Sequence, residues 1–258
     1  MIVHGGTSKI NSVAFSPDGN CVVSGSSDGT VRMWNAHNAY SIGVALEGHT
    51  YSVQSLAYSP LGRIIASASF DRTIRLWDVN TRQQLGQSIE CNRAFHSVAF
   101  SPDAKLIASG CTSGSSAYNR GPAVQLWDVE KRAAASKPFK GQTGDIKSVQ
   151  FSPDGSRLVS GSWKTVRVWD VESGTTIVGP LKGHTDEIIS CSYDRTLRLW
   201  DARKGVMIGN PFEGHTHDIH SVAFSPCDTY VVSGGADKTV RLWDIRTCRE
   251  IQSFDEHA

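Results

Sequence analysis

Residues 214–244 read GHTHDIHSVAFSPCDTYVVSGGADKTVRLWD, and this stretch decides the fold. Three runs of strand-like composition lie between turn residues. Ser221 to Phe224 alternates small and apolar side chains, as a pleated strand with two packed faces does. Ser225-Pro226 begins a turn, where the fixed φ of proline suits the first central position. Val231-Val232-Ser233 resumes β-type composition and Gly234 to Lys238 turns again. Thr239 to Trp243 is a third strand, rich in β-branched and aromatic residues. Such a unit exposes most of its surface when alone, so it predicts copies of itself.

The copies are present. Trp34, Trp77, Trp127, Trp169, Trp200 and Trp243 each end a third strand, at intervals of 43, 50, 42, 31 and 43 residues. A spacing of about 40–45 with four strands per unit is the propeller period. Five of the six tryptophans precede Asp, and the first reads Trp34-Asn35. On these residues the chain resembles the WD-repeat family of β-propellers over nearly its whole length. The resemblance implies an all-β protein, a propeller of about six blades of four-stranded antiparallel sheets. A single domain over residues 1–258 is expected, with repeats at 5–47, 48–90, 91–140, 141–182, 183–213 (truncated) and 214–256.

Bulk properties agree. No helical period or linker composition interrupts the β pattern across 258 residues. The balance of 26 basic and 25 acidic residues offers no electrostatic case for nucleic acid or an anionic membrane. No signal peptide follows Met1 and no apolar run is long enough to span a bilayer. Cys21, Cys91, Cys111, Cys191, Cys227 and Cys248 lie far apart without a Cys-x-x-Cys pair, so buried free thiols in a reducing compartment are expected. An intracellular protein follows, cytoplasmic or nuclear.

Repeat one runs from Ile10 to Leu46, with an outer strand near Ser41 to Leu46. Repeat two, Tyr51 to Ile89, is introduced by Gly48-His49. Repeat three has Cys91 where the histidine stands elsewhere, and its second turn carries a Gly/Ser/Asn-rich insertion, Thr112 to Pro122, expected as a surface loop. Repeat four has a shortened turn, SWKT. In repeat five, LKGHTDE leads directly into IISCSYDRTLRLWD, twelve residues short of the 43-residue spacing. Aligned on the turn Asp, Ile188-Ile189 match Val22-Val23, so the innermost strand of the family is the part missing. A decayed repeat, or a gene-model or splicing loss, accounts for it; alternatively Glu187 to Cys191 slides inward to replace that strand. The C-terminal REIQSFDEH completes its own blade, and both ends stop near repeat boundaries, which leaves ring closure in question and fits a part of a longer array.

The resemblance also assigns a hydrogen-bond chain of four side chains per well-formed repeat. It carries over to His49, Ser67, Asp71 and Trp77; to His184, Ser190, Asp194 and Trp200; and to His215, Ser233, Asp237 and Trp243. Repeat one keeps Ser24, Asp28 and Trp34 without the histidine. Ser, His and Asp together invite a hydrolase reading, but recurrence in several repeats marks a structural device, and no catalytic residue is assigned. His215, His217 and His220 invite a metal reading, without a convincing fourth ligand and with His215 already engaged. No metal or cofactor is expected.

In the family, partners meet the face formed by loops before the inner strand and between the second and third strands. Three positions per repeat map there: Lys9, Asn11 and Ser27; Ser52, Gln54 and Phe70; Ala94 and His96; Asp145 and Lys147; Tyr193; and Asp218, His220 and Ala236. Trp163 and the long loop with Tyr118 and Arg120 join them. Large aromatics such as Phe70, Trp163 and Tyr193 anchor protein interfaces, although each could simply cover the turn beneath it. The expected function is therefore a non-catalytic scaffold binding other proteins or peptides, with no nucleic acid, membrane or small-molecule substrate. Phrases such as WDVESGTTIVGPLKGHTDEI are similar to the WD arrays of fungal heterokaryon-incompatibility-like proteins of the NACHT type, where the array serves as a recognition surface. The alternative is a substrate receptor of a cullin-type ubiquitin ligase, since Trp200-Asp201-Ala202-Arg203 and Trp243-Asp244-Ile245-Arg246 carry the Trp-Asp-x-Arg ending that docks on an adaptor.

Overall fold

A computed structural model of the chain describes residues 8–112, 123–141, 144–162, 165–177, 187–191, 194–201, 206–225 and 229–254. The chain divides into two compact units, residues 1–176 and 177–258. Every regular element among the described residues is a β-strand, and all pairings are antiparallel.

The first unit holds four sheets. The first is β1 (Ile10–Phe15), β2 (Cys21–Ser26) and β3 (Val31–Asn35), in that order. The second is β4 (Val53–Tyr58), β5 (Ile64–Ser69), β6 (Thr73–Asp78) and the short β7 (Ile89–Glu90). In the third, β8 (Phe95–Phe100), β9 (Leu106–Cys111) and β10 (Ala123–Asp128) are flanked by two fragments, β11 (Ala133–Ala134) and β12 (Phe139–Lys140), that both pair with β10. The fourth is β13 (Ile146–Phe151), β14 (Arg157–Ser162) and β15 (Val166–Asp170). The outer strand expected at Ser41 to Leu46 is reduced to bridges, Trp34 to Ser41 and Val31 to Leu46. Gly43, at φ 74°, lies between them and breaks the extended run.

Turn chemistry follows the sequence. In the SPDG turns the serine N–H bonds across to the start of the second strand, as Ser16 does to Cys21 O at 2.8 Å. The fourth turn residue is left-handed, Gly19 at φ 73° and Gly155 at 73°, and in SPDA the same conformation falls on Ala104 at 59°.

Alternation sends each strand's residues to two different neighbours. In β6, Ile74 and Leu76 pack with Phe95, Val98 and Ile107 of the third sheet, whereas Trp77 packs with Val23, Val31 and Met33 of the first. Ala99, Ala108, Val124 and Leu126 meet Ile146, Val149 and Leu158 in the same way. Each fully buried Leu or Ile contributes about 1.5–3 kcal/mol. The sheets approach closely: a Cβ on Gly110 would lie 2.5 Å from Ile146 Cγ2, which only glycine avoids. Small serines on the innermost strands stitch successive sheets. The backbone N–H groups of Leu56, Val98 and Val149 donate to Ser12, Ser55 and Ser97 Oγ at 3.0, 3.1 and 3.1 Å.

The second unit holds two sheets: β16 (Glu187–Cys191), β17 (Thr196–Asp201) and β18 (Val206–Glu213), then β19 (Ile219–Phe224), β20 (Tyr230–Gly235), β21 (Val240–Asp244) and β22 (Arg249–Phe254). Leu197, Leu199 and Phe212 pack there with Ile219, Val231 and Trp243. The register of β16 fixes its identity. Glu187 faces Asp201 and Ser190 faces Arg198, as Ile64 faces Asp78 and Ser67 faces Arg75. β16 is thus a second strand and has not slid inward; among the described residues no strand pairs with its other edge. The closing REIQSF forms β22 beside β21, as expected from the sequence.

Candidate functional site

The innermost strands carry one repeated irregularity. In β1, β4, β8, β13 and β19 a single residue is left over between two paired neighbours: Ile10 and Ser12 face Ser26 and Gly25, so Asn11 has no opposite number. The corresponding residues are Gln54, His96, Lys147 and His220. Bulges of this kind re-aim a side chain and are found beside functional sites. All five positions lie six residues before the turn proline and were singled out in sequence.

In the first unit these side chains form two linked groups. Asn11 Nδ2 donates to Ser52 Oγ at 2.9 Å, Val53 O at 2.9 Å and Ser27 Oγ at 3.1 Å, and Gln54 Nε2 donates to Ser52 Oγ at 2.7 Å. Lys9, exposed, contributes its carbonyl, which accepts the Ser27 N–H at 2.8 Å. In the second group Lys147 Nζ donates to Asp145 Oδ2 at 3.1 Å and to His96 Nε2 at 2.8 Å. The Phe70 ring meets His96 edge-on with centroids 5.0 Å apart, and Tyr51 stacks on Phe70 at 6.5 Å. Burial pushes the His96 pKa down, and the Lys147 ammonium adds to this against the opposing Asp145 carboxylate.

The exposed ring of Tyr51 was not anticipated; its signal was an aromatic just before Ser52, close to two expected face residues. In the second unit Asp218 is half-buried and its carbonyl accepts the Ala236 N–H at 2.7 Å, while His220 is exposed. Tyr118, Arg120, Trp163, Tyr193, His184 and Arg203 lie outside the described residues.

The four-residue chains are formed in repeats two and six. Trp77 Nε1–H donates to Ser67 Oγ at 2.8 Å, the Ser67 hydroxyl to His49 Nε2 at 2.6 Å, and His49 Nδ1–H to Asp71 Oδ2 at 2.7 Å. This donor order leaves every group satisfied. Asp71 also accepts from the Thr50 N–H and from the N–H and hydroxyl of Thr73. Burial alone would raise the Asp71 carboxyl, but its bonds from His49 and Thr73 outweigh that and hold it well below the usual carboxylate range. Trp243, Ser233, His215 and Asp237 repeat the arrangement at 2.8, 2.7 and 2.8 Å. Asp237 is likewise held low, with burial opposed by bonds from Thr216, Thr239 and His215.

The Trp-to-Ser bond survives where the histidine is absent. Trp34, Trp127 and Trp169 donate to Ser24, Ser109 and Ser160 at 2.8 Å. In repeat five, whose His184 lies outside the described residues, Trp200 donates to Ser190 at 2.9 Å. Asp194 accepts from the Thr196 N–H and from Arg198 Nη2. The arginine two residues before the tryptophan was overlooked, although Arg-x-Trp recurs in five repeats. In repeat four Arg167 lies over the Trp169 indole at 6.0 Å, and in repeat six Arg241 reaches Glu250 on the outer strand at 2.5 Å.

Ser67, His49 and Asp71 have the bonding order of a hydrolytic triad, but the chemistry is closed off. Ser67 is 0% exposed, its oxygen already accepts from an indole, and its proton goes to His49. His215 uses both ring nitrogens on Asp237 and Ser233, and among the described residues no three His, Cys, Asp or Glu side chains converge on a metal-sized site. Arg246 is 79% exposed in its side chain and lies 3.7 Å from Asp244.

The family model described as "WD domain, G-beta repeat" matches residues 1–35, 41–78, 84–116, 135–170, 176–201 and 207–244, the fifth match being the shortest. The chain is also similar to Pre-mRNA-processing factor 19 homolog 2 of Arabidopsis thaliana, at 31% identity over 160 residues, 60% of this chain and 29% of that protein. It thus spans less than a third of that relative's length.

Proposed function

The chain belongs to the WD-repeat family, and from that premise we propose that it is a non-catalytic scaffold that binds a partner protein through the bulge-bearing face of its first unit. One observation carries the proposal: Asn11, Gln54, His96 and Lys147 are aimed by four successive bulges into linked groups, with Tyr51 and Phe70 stacked beside them. Aromatic anchors rimmed by satisfied polar groups are the composition of an interaction hot spot. A propeller of about six blades, its fifth short of the innermost strand, is part of the same reading; the six family matches and the register of β16 support it. So is an intracellular location, supported by the free thiols.

Photo-crosslinking tests the face. A benzophenone amino acid placed at Tyr51 or Phe70 should capture one discrete partner, and the same group at Tyr40, which is 75% exposed outside the face, should not. Equal capture at all three positions would remove the face from the proposal. Within this reading, the array is the recognition half of a larger signalling protein of the fungal incompatibility type. The ligase-receptor reading draws on the exposed guanidinium of Arg246 beside Asp244. It requires that Arg203→Ala plus Arg246→Ala abolish adaptor co-purification while crosslinking at Phe70 persists.

A further inference from the structure

Repeat three departs from its neighbours at two positions that share one packed cluster. Cys91 stands where repeat two has His49, and Cys111 faces Phe95 in the register in which Ser69 faces Val53. Both substitutions put sulfur where a polar hydrogen-bonding group stands in the better-formed repeat. The Cys91 N–H donates to Arg72 O at 3.0 Å, which fixes the residue at the entry to the third sheet. Its side chain packs on the cluster that contains Cys111.

The two thiols differ in environment. Cys111 is 2% exposed, whereas Cys91 is half-buried and open to small solutes. The neighbouring Cys111 thiol is the largest influence drawing the Cys91 thiol down, to about 6; burial opposes it, and the backbone N–H groups of Arg93 and Asn92 and the Arg93 guanidinium add to it. With its proton on, the Cys91 sulfur donates to Asn92 Oδ1 at 3.6 Å. Cys111 is pushed up by Cys91 and by burial. The pair is thus drawn apart, the more exposed Cys91 toward the thiolate and the buried Cys111 toward the thiol, which is the direction of an attacking and a resolving cysteine.

We propose that Cys91 and Cys111 form a peroxide-reactive dithiol that closes to an intrachain disulfide. The Cys91 thiolate attacks one oxygen of hydrogen peroxide, forming an S–O bond and breaking the O–O bond. The departing hydroxide takes up a proton and leaves as water. The Cys111 sulfur then attacks the Cys91 sulfenic sulfur, forming the S–S bond and breaking S–O. The Cys111 proton goes to the departing oxygen, and a second water is released. Two thiols lose two electrons and one peroxide gains them.

Repeat two has no sulfur at either position, so the chemistry is local to repeat three. The disulfide would tie the segment entering β8 to the end of β9, beside His96, and stiffen that edge of the partner face.

The test uses the whole chain. Limiting hydrogen peroxide, followed by alkylation and trypsin, should join peptides 83–93 and 106–120 in a product reversed by dithiothreitol. In Cys111→Ala, Cys91 should instead accumulate as a dimedone-reactive sulfenic acid. At pH 6, Cys91 should alkylate about tenfold faster than an ordinary thiol, its larger thiolate fraction outweighing its lower basicity. In Cys111→Ala the alkylation midpoint should rise, since the thiol that draws Cys91 down is lost. Oxidation of the unaltered chain without the joined peptide, or an alkylation midpoint for Cys91 at about 8.5 as in a free cysteine, would overturn the proposal.

Discussion

Lys147 Nζ lies 2.8 Å from His96 Nε2, so the bulge residues of two adjacent sheets share one proton-bearing contact. An ammonium can only donate, so His96 must accept there and stay neutral. The contact therefore sets a protonation state as well as a position. It also places a titrating group at the centre of the proposed partner face.

That relationship predicts a pH response. His96 is held below its ordinary value by burial and by Lys147, so the stability it contributes is present above about pH 6.5 and is lost as pH falls through the lower folded value. Lys147→Met should raise the His96 midpoint, followed by proton NMR of the ring. The variant should also lose less melting temperature between pH 7 and pH 5 than the unaltered chain. An unchanged His96 midpoint would show that the ammonium is not close to the ring in solution.

The buried chain from Trp77 to Asp71 predicts a larger cost at His49 than at an exposed histidine. His49→Ala leaves the Ser67 hydroxyl and the Asp71 carboxylate without their shared partner, a loss of about 1–3 kcal/mol in chemical denaturation. The acid limb carries a second signature. Asp71 and Asp237 are both held low, so their contribution is present above about pH 4 and is lost as pH falls below it. Asp71→Asn should flatten that limb. Asp28→Asn should change it less, because Asp28 is bonded to Thr30 but to no imidazole among the described residues.

Ala104 predicts a gain. It occupies the left-handed conformation at φ 59° that Gly19 and Gly155 adopt in the equivalent turns. A non-glycine residue there costs roughly 1–2 kcal/mol, part of which glycine returns in chain entropy. Ala104→Gly should therefore raise stability by about 0.5–1 kcal/mol, seen as a shifted denaturant midpoint with an unchanged slope.

β16 predicts uneven protection. Its backbone pairs with β17 on one side, whereas β20 is paired on both sides by β19 and β21. Amide exchange should be faster in Ile189 to Cys191 than in Val231 to Ser233. Equal protection would mean that a segment outside the described residues covers the other edge of β16.

Much of this protein was written locally. Trp spacing, SPDG turns and period-two alternation specify strands, turns and their order, because each is set by residues within about ten positions of one another. The Trp-to-Ser bond spans ten residues or fewer in five of six repeats, and in repeats one, two, five and six the family resemblance implied it. Two placements of Glu187 to Cys191 stayed open in the sequence, and the register with β17 chose between them. Bulge positions were also legible, as residues counted back from the turn proline, though not the fact that they are bulges.

What only the tertiary structure decided are the meetings between repeats and across insertions. Asn11 reaches Ser52 over 41 residues and Lys147 reaches His96 over 51. Cys91 packs on the cluster that contains Cys111, 20 positions away in a sequence that shows no cysteine motif. Side-chain direction in a strand is fixed by parity. Which residue of the next sheet stands opposite is fixed by packing depth and bulge geometry, and those depend on the whole core.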